Sequence, residues 1–130
     1  LSQPTSLTAN ITEKDLTISG VTANNKIYDG TTTATLSGST SLIGVIIGDV
    51  VSLSGTPTAT FASPNAGTAI AVTVVGYSLT NTDAGNYTVN TTASTTANIT
   101  AKALTITAVD KQKFVGTANP VFTANYNGFI

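Results

Sequence analysis

The side chains that could do acid–base or metal chemistry are few in this sequence. It has six carboxylates and five lysines, and it contains no histidine, cysteine or methionine. General acid–base catalysis at neutral pH normally uses histidine, or a pair of carboxylates whose pKa values are driven apart. Only Glu13 and Asp15 lie close together along the chain, and no nucleophile, zinc or phosphate-binding motif is present. We therefore predict a protein without catalytic residues or a cofactor.

The segment TDAGNYTV, residues 82–89, and the asparagine before it offer the best set of oxygens for a metal ion. Asp83, Asn86 and Asn81 could each ligate calcium. Calcium takes about six to eight oxygens, however, and three side chains supply too few of them. The alternative is structural: Asp83, Gly85, Asn86 and Tyr87 would form a corner that leads into a strand. We favour the structural interpretation and predict no bound metal.

The segment KIYDG, residues 26–30, places an aromatic residue beside turn chemistry. An aspartate side chain can bond to nearby backbone and a glycine can take positive φ, so Asp29 and Gly30 predict a turn. Tyr28 could stack on a sugar ring, or its ring could cover the core while its hydroxyl remains in contact with solvent. We favour the structural role for this segment as well.

The elements that would position these residues are short strands. Threonine occurs 27 times and hydrophobic residues make up 41% of the chain, a composition that favours β-structure. Pro57 indicates a strand edge or a turn. Strands of about six residues between frequent turn signals predict an all-β fold, an immunoglobulin-like antiparallel β-sandwich. The predicted strands are residues 16–21, 31–36, 42–47, 50–55, 58–63, 69–76 and 94–100. In the strand at residues 69–76, alternation places Ile70, Val72 and Val74 on one face.

Charge and hydropathy exclude two classes of partner. The net charge is −1, only 8% of residues are charged, and arginine is absent. Proteins that bind nucleic acid carry a basic face that displaces counterions from phosphates, so we predict no nucleic-acid partner. No apolar run approaches the length of about 18 residues that a spanning helix needs, so we predict no membrane insertion.

One segment occurs twice, as ANITEKDLTISG (residues 9–20) and ANITAKALTITA (residues 97–108), with eight of twelve positions identical. The flanks match too: SLT precedes the first ANIT and STT the second. Further on, Tyr28 aligns with Phe114 and Gly30 with Gly116, if the first copy has two extra residues. We interpret this repeated segment as a junction between modules of a tandem array. Residues 1–12 would be the closing strand of a preceding module or a linker, 13–101 a complete module, and 102–130 the opening strands of an incomplete one.

Much of the chain resembles a known family. The segments KIYDGTTTATLSG, GDVVSLSG, ATFASPNAGTAIAVTVVG and TDAGNYTV together resemble the YDG domain, and ALTITAVDKQKFVGTANPVF resembles the opening of an MBG-type β domain. Phe114 and Val115 depart from the usual MBG phrase, which is closer to YGDANP. The resemblance implies a repeat of a large bacterial adhesin-like protein, secreted or on the cell surface. TDAGNYTV is also similar to the tyrosine corner of immunoglobulin-like sandwiches, in which the tyrosine hydroxyl bonds to backbone upstream.

Three functions remain open at this stage. The first is a structural stalk or spacer, whose partners are neighbouring modules of the same chain. The second is a filament of identical subunits assembled by strand addition. Its joining strands would be residues 7–12, with Leu7 and Ile11, and residues 104–109, with Leu104 and Ile106. The third is a module that binds glycans or another surface through exposed aromatic side chains. The aromatic candidates are Tyr77, Tyr126 and Phe129.

Overall fold

The structure is a computed structural model that describes residues 8–90 and 92–130. In these residues it is all-β, with a single 3-10 turn at Ala84–Asn86. The strands are β1 (Lys14–Ser19), β2 (Thr22–Ala23), β3 (Lys26–Ile27), β4 (Thr33–Ala34), β5 (Leu36–Ser37), β6 (Ser41–Ile43), β7 (Ser52–Phe61), β8 (Gly67–Thr80), β9 (Tyr87–Val89), β10 (Thr92–Thr100), β11 (Thr105–Ala108) and β12 (Ala124–Asn127).

A five-stranded sheet in the order β3-β10-β8-β7-β4 forms the largest layer. Strands β6-β1-β9 make a second sheet, and β2 pairs with β5. The prediction of a purely antiparallel arrangement needs correction, because β1 pairs with β9 and β3 with β10 in parallel. Parallel neighbours need a long crossover between them, and both pairs join strands far apart in the sequence. The immunoglobulin-like sandwich and the tandem array stay predictions.

Four of the predicted strands are arranged differently in the structure. Residues 31–36 divide between β4 and β5, which belong to different sheets. Residues 42–47 form a strand only as far as Ile43, since a turn follows. The two strands predicted on either side of Pro57 are one long strand, β7. Pro57 is tolerated inside it because the ladder has a register shift between Gly55 and Thr58, where pairing is already interrupted.

The core lies on one face of the central strands β7, β8 and β10. The sequence predicted that Ile70, Val72 and Val74 share a face, and Val72 and Val74 are fully buried while Ile70 packs against them. The buried cluster comprises Ala23, Ala59, Phe61, Val72, Val74, Tyr77, Ala97 and Ile99. In contrast, no side chain of residues 101–130 is buried. The β11–β12 hairpin is therefore an element without a core of its own.

Candidate functional site

The turn at residues 28–30 is organised around Lys26, a residue to which the sequence analysis gave no role. Asp29 Oδ1 accepts hydrogen bonds from Lys26 Nζ (2.8 Å), from Thr31 N (2.9 Å) and from Thr31 Oγ1 (2.9 Å). Lys26 Nζ also donates to the carbonyls of Thr31 (2.8 Å) and Thr33 (3.0 Å). The ammonium lies 5.5 Å from the centre of the Phe61 ring, which adds a cation–π contact. Strand β3 thus fixes a lysine that closes the turn.

The ion pair between Lys26 and Asp29 changes the pKa of Asp29. The hydrogen bond from Lys26, with smaller contributions from Thr31, lowers the pKa of Asp29 from 3.8 to about 2. A carboxylate that receives several hydrogen bonds is favoured in its ionised form. Asp29 is therefore ionised over the whole physiological range and is committed to holding the turn.

Tyr28 and Gly30 complete the same turn. Tyr28 N donates to Thr100 O (2.8 Å), which ties the turn to the end of β10, and the half-buried Tyr28 ring packs against the core. Gly30 has φ of +76°, a conformation that side-chain-bearing residues rarely adopt. In this arrangement the Tyr28 ring covers part of the core, and the hydrogen-bonded turn holds it there.

The segment at residues 82–89 fastens a distant loop. Asp83 Oδ2 accepts from Val50 N (2.7 Å), and Asp83 N donates to Val50 O (3.2 Å). The buried Tyr87 hydroxyl donates to Asp49 Oδ2 (2.5 Å) and accepts from Ile46 N (3.1 Å). Burial, followed by the bond to Asp49, raises the pKa of the Tyr87 phenol. This corner ties β9 to the loop that leads into β7.

Two of the three candidate calcium ligands, Asp83 and Asn81, are engaged in structural contacts through their side chains. Asp83 is bonded to the backbone of Val50, and Asn81 Nδ2 donates to Ser52 Oγ (2.8 Å). Asn86 and Gly85 lie in the short 3-10 turn before β9. Within residues 8–90 and 92–130, no group of three or more acidic, histidine or cysteine side chains is placed to hold a metal ion. The Asp83 and Asn81 side chains thus have structural partners, and Asn86 donates its backbone N–H to Asp83 O (3.0 Å).

The second copy of the repeated segment closes the core. Ala97 and Ile99 are buried, and the register shift between them leaves Asn98 at a bulge. Asn98 Oδ1 accepts from Ala69 N (2.8 Å), and Asn98 N donates to Asn25 Oδ1 (2.7 Å). The asparagine of the ANIT phrase therefore satisfies backbone that the bulge leaves without a ladder partner.

The two copies of the repeated segment are buried in opposite halves. In the ANIT half, Ile99 is 1% exposed, whereas its counterpart Ile11 is 101% exposed. In the LTI half, Leu16 is 2% exposed, whereas its counterpart Leu104 is 54% exposed, and Ile106 is exposed as well. Leu7 lies outside the described residues. Each copy therefore gives one half to the folded module and leaves the other half uncovered.

The three aromatic candidates for a binding surface differ in their exposure. Tyr77 was expected on the surface, but this is wrong because the side chain belongs to the core cluster. Tyr126 and Phe129 are exposed, and their ring centroids are 6.5 Å apart in a tilted arrangement. Both belong to residues 101–130, the part of the chain without a core of its own. Both are far from residues 82–89 in the sequence. The pair is too small to define a binding site alone.

Comparisons with known proteins identify the families of both parts. The family model of the YDG domain matches residues 12–97, and that of the MBG domain (YGX type) matches residues 104–130. The comparison with curated proteins and the comparison with solved structures gave no match. In the part of the chain that the structure describes, no helix is long and apolar enough to cross a bilayer. The matched families are non-catalytic and are associated with adhesin-like surface proteins. The chain therefore belongs to the YDG domain family, and an MBG-type segment follows its YDG domain.

Proposed function

We propose that this chain is a non-catalytic spacer in the stalk of a secreted or cell-surface bacterial adhesin-like protein. The observation that supports this most is the opposite burial of the two copies of the repeated segment. Ile99 closes the core of the YDG module, while Ile11, in the same position of the first copy, is uncovered. Leu16 and Leu104 show the reverse. This pattern is expected if each copy ends one module and begins the next.

The short connection between modules suits a spacer. Only residues 101–104 separate the end of β10 at Thr100 from the start of β11 at Thr105. A linker of four residues without a glycine or a long polar run restricts the orientations of two neighbouring modules. The charged turn at Asp29 and the Tyr87 corner are both used to hold the module together, so neither requires a ligand to explain it.

A filament assembled by strand addition is the second candidate. Strand β1 has two neighbours, β6 on one side and β9 on the other, whereas within residues 8–90 and 92–130 its counterpart β11 pairs only with β12. The uncovered side of β11 could accept a strand from an identical subunit. The exposed Leu104 and Ile106 would then be covered in the assembly. The third candidate, glycan binding, is supported only by the exposed Tyr126 and Phe129 pair.

The mass of the protein isolated from its source, with negative-stain images of the same material, tests the spacer. A polypeptide many times larger than 130 residues, seen as a beaded rod, is the expected result. A short mature chain that forms ordered filaments would overturn the spacer and favour strand addition. Rods that lose glycan or surface binding when Tyr126 and Phe129 are replaced by serine would instead favour the binding module.

A further inference from the structure

The YDG module and the MBG-type segment open with strands that pair in the same antiparallel way, although β2 to β5 lie between β1 and β6 in the sequence. In the first, β1 pairs with β6 through Thr17↔Ile43 and Ile18↔Leu42. In the second, β11 pairs with β12 through Thr105↔Asn127 and Ile106↔Tyr126. Thr17 and Thr105 occupy the same position of the repeated segment, so the two registers coincide. This correspondence extends the sequence repeat to a strand, β12, that has no detectable sequence repeat with β6.

A glycine with positive φ follows the second strand of each pair, β6 in the first and β12 in the second. Gly44 has φ of +106° and Gly128 has φ of +108°. A methyl group built on Gly44 would lie 3.3 Å from Leu16 Cδ2, and one built on Gly128 would lie 3.4 Å from Leu104 Cδ2. Leu16 and Leu104 also occupy the same position of the repeated segment. The chain therefore takes the same path after β6 as it does after β12. Val45 and Ile46 are therefore the counterparts of Phe129 and Ile130.

Ile130 lies on the turn at residues 28–30 of the module before it. A methyl group built on Gly30 would be 3.0 Å from Ile130 Cδ1, so the glycine gives the isoleucine room to lie against the backbone. Tyr28 and Lys102 line a cleft of about 260 Å³ with Leu104, Phe129 and Ile130. The turn is fixed beforehand by the bonds of Asp29 with Lys26 and Thr31, so little ordering accompanies the contact.

In the residues that the structure describes, no glycine lies against the corresponding loop of the YDG module, residues 45–47, and Ile46 contacts the corner of its own module, where its N–H donates to the Tyr87 hydroxyl. Ile46 is 53% exposed and Ile47 is 102% exposed, while Ile130 beside Gly30 is 65% exposed. Ile46 lines a second cleft with Ile11 and Lys14, at the place where the first copy of the repeated segment enters the module. Lys14 is the counterpart of Lys102, which lines the cleft beside Ile130. The two clefts thus occupy corresponding places at the two junctions.

We propose that the loop at residues 45–47 is the docking surface for a turn of the preceding module in the same protein. That turn would resemble residues 28–30, with a glycine against Ile46. The turn at residues 28–30 is the matching surface for the module that follows. Successive modules are then joined head to tail by one repeated contact, which is what makes the rod stiff. This inference rests on the spacer proposal and adds the joint to it.

The 130-residue chain itself can be used to test the contact between Ile130 and the turn at residues 28–30. The measurement is 15N transverse relaxation of amides in β11 and β8. With the contact in place, both strands share one rotational correlation time. Ile130→Asp should release the hairpin, so that β11 relaxes more slowly than β8 while the β8 chemical shifts stay unchanged. Val115→Asp is the control, because Val115 is fully exposed on the same segment. Independent motion of β11 in the unchanged chain, or no effect of Ile130→Asp, would overturn the joint.

A tandem protein tests the half at Ile46. Residues 1–100 followed by residues 13–130 restore the phrase ANITEKDLTISG between two YDG modules. Because the chain contains no cysteine, Thr60→Cys in each copy gives a unique pair of spin-label sites. We expect a narrow distance distribution that broadens with Ile46→Asp in the second copy only. The same substitution in the first copy is the matched control, since no module precedes it.

The outcomes separate the joint from the spacer. Equal broadening by both Ile46→Asp variants, or a broad distribution in the unchanged tandem, would overturn the joint. Two folded but freely jointed modules would leave the spacer proposal standing. A native protein that is short and polymeric would remove the spacer, whatever the distance distribution of the tandem.

Discussion

Ile99 and Ile11 hold the same position in two copies of one segment, yet Ile99 is buried in the core and Ile11 is fully exposed. The sequence alone gives them equal hydrophobicity and equal neighbours. Under the spacer proposal, the difference arises because only Ile99 has beside it the module that its strand closes. On this account, the burial of a residue depends on the module boundary as much as on the residue type.

Replacing each of these isoleucines by alanine gives a matched pair of variants. Ile99→Ala removes buried methyl groups, and we expect a loss of about 2–4 kcal/mol in the free energy of unfolding. Ile11→Ala should change it by less than about 0.5 kcal/mol, since the side chain makes no buried contact. Urea unfolding followed by circular dichroism measures both. Equal losses from the two variants would contradict the module boundary.

The Asp29–Lys26 pair predicts a pH dependence at the acid end. The pKa of Asp29 is about 2 in the folded chain against 3.8 for the free side chain. A depressed folded pKa contributes stability that is present above about pH 4 and is lost as the pH falls towards 2. We expect the urea midpoint of the wild type to fall through this range. In Asp29→Asn the midpoint should be lower at neutral pH and should change less on acidification.

Lys26→Met tests whether the charge of Lys26 is what lowers the pKa of Asp29. The methionine keeps an apolar stem beside Phe61 but cannot donate to Asp29. The pKa of Asp29, followed by NMR of its carboxyl carbon, should return towards 3.8. A pKa that stays near 2 would show that Lys26 is not its main cause.

Tyr87→Phe tests the corner that holds residues 46–49. The phenylalanine keeps the ring in its buried place but loses the bonds to Asp49 and Ile46. We expect a loss of about 1–2 kcal/mol in the free energy of unfolding, because the Ile46 amide loses its partner. Thermal unfolding at neutral pH measures it, with Tyr126→Phe, an exposed tyrosine, as the control. A Tyr87→Phe variant as stable as the control would contradict this role.

The same tyrosine predicts an alkaline limit. Its folded pKa is raised, so its contribution is complete below the free value of 10.0 and is lost as the pH rises through the folded pKa. The wild type should therefore lose stability above about pH 10 faster than Tyr87→Phe. Unfolding midpoints at pH 9 and at about pH 11 compare the two proteins. Parallel losses would show that other groups dominate.

The sequence predicted the features that depend on local pattern. Alternation around Val72 and Val74 predicted the buried face of β8. The interpretation of the repeated segment as a junction between modules stays a prediction. Asp29 and Gly30 predicted a turn through their intrinsic chemistry. These signals depend on side chains a few residues apart, which is why they can be read from a single sequence.

Features that depend on distant partners could not be read in this way. The bond from Tyr87 to Asp49 spans 38 residues, and no local pattern marks Asp49 as its acceptor. The parallel pairing of β1 with β9 likewise depends on the path of the whole chain. Lys26 is different, because its spacing of three residues from Asp29 was visible and could have suggested the ion pair. Pro57 misled the strand bounds because the register shift that accommodates it, between Gly55 and Thr58, depends on the pairing of β7 with β8.

The most direct measurement of the central claim is hydrogen exchange along the repeated segment. In the 130-residue chain, amides of β10 near Ala97 and Ile99 should be protected, and those near Ile11 should exchange freely. In the tandem of residues 1–100 and 13–130, the middle copy should be protected in both halves. Free exchange of either half in that middle copy would contradict the proposal that the segment is a junction between modules.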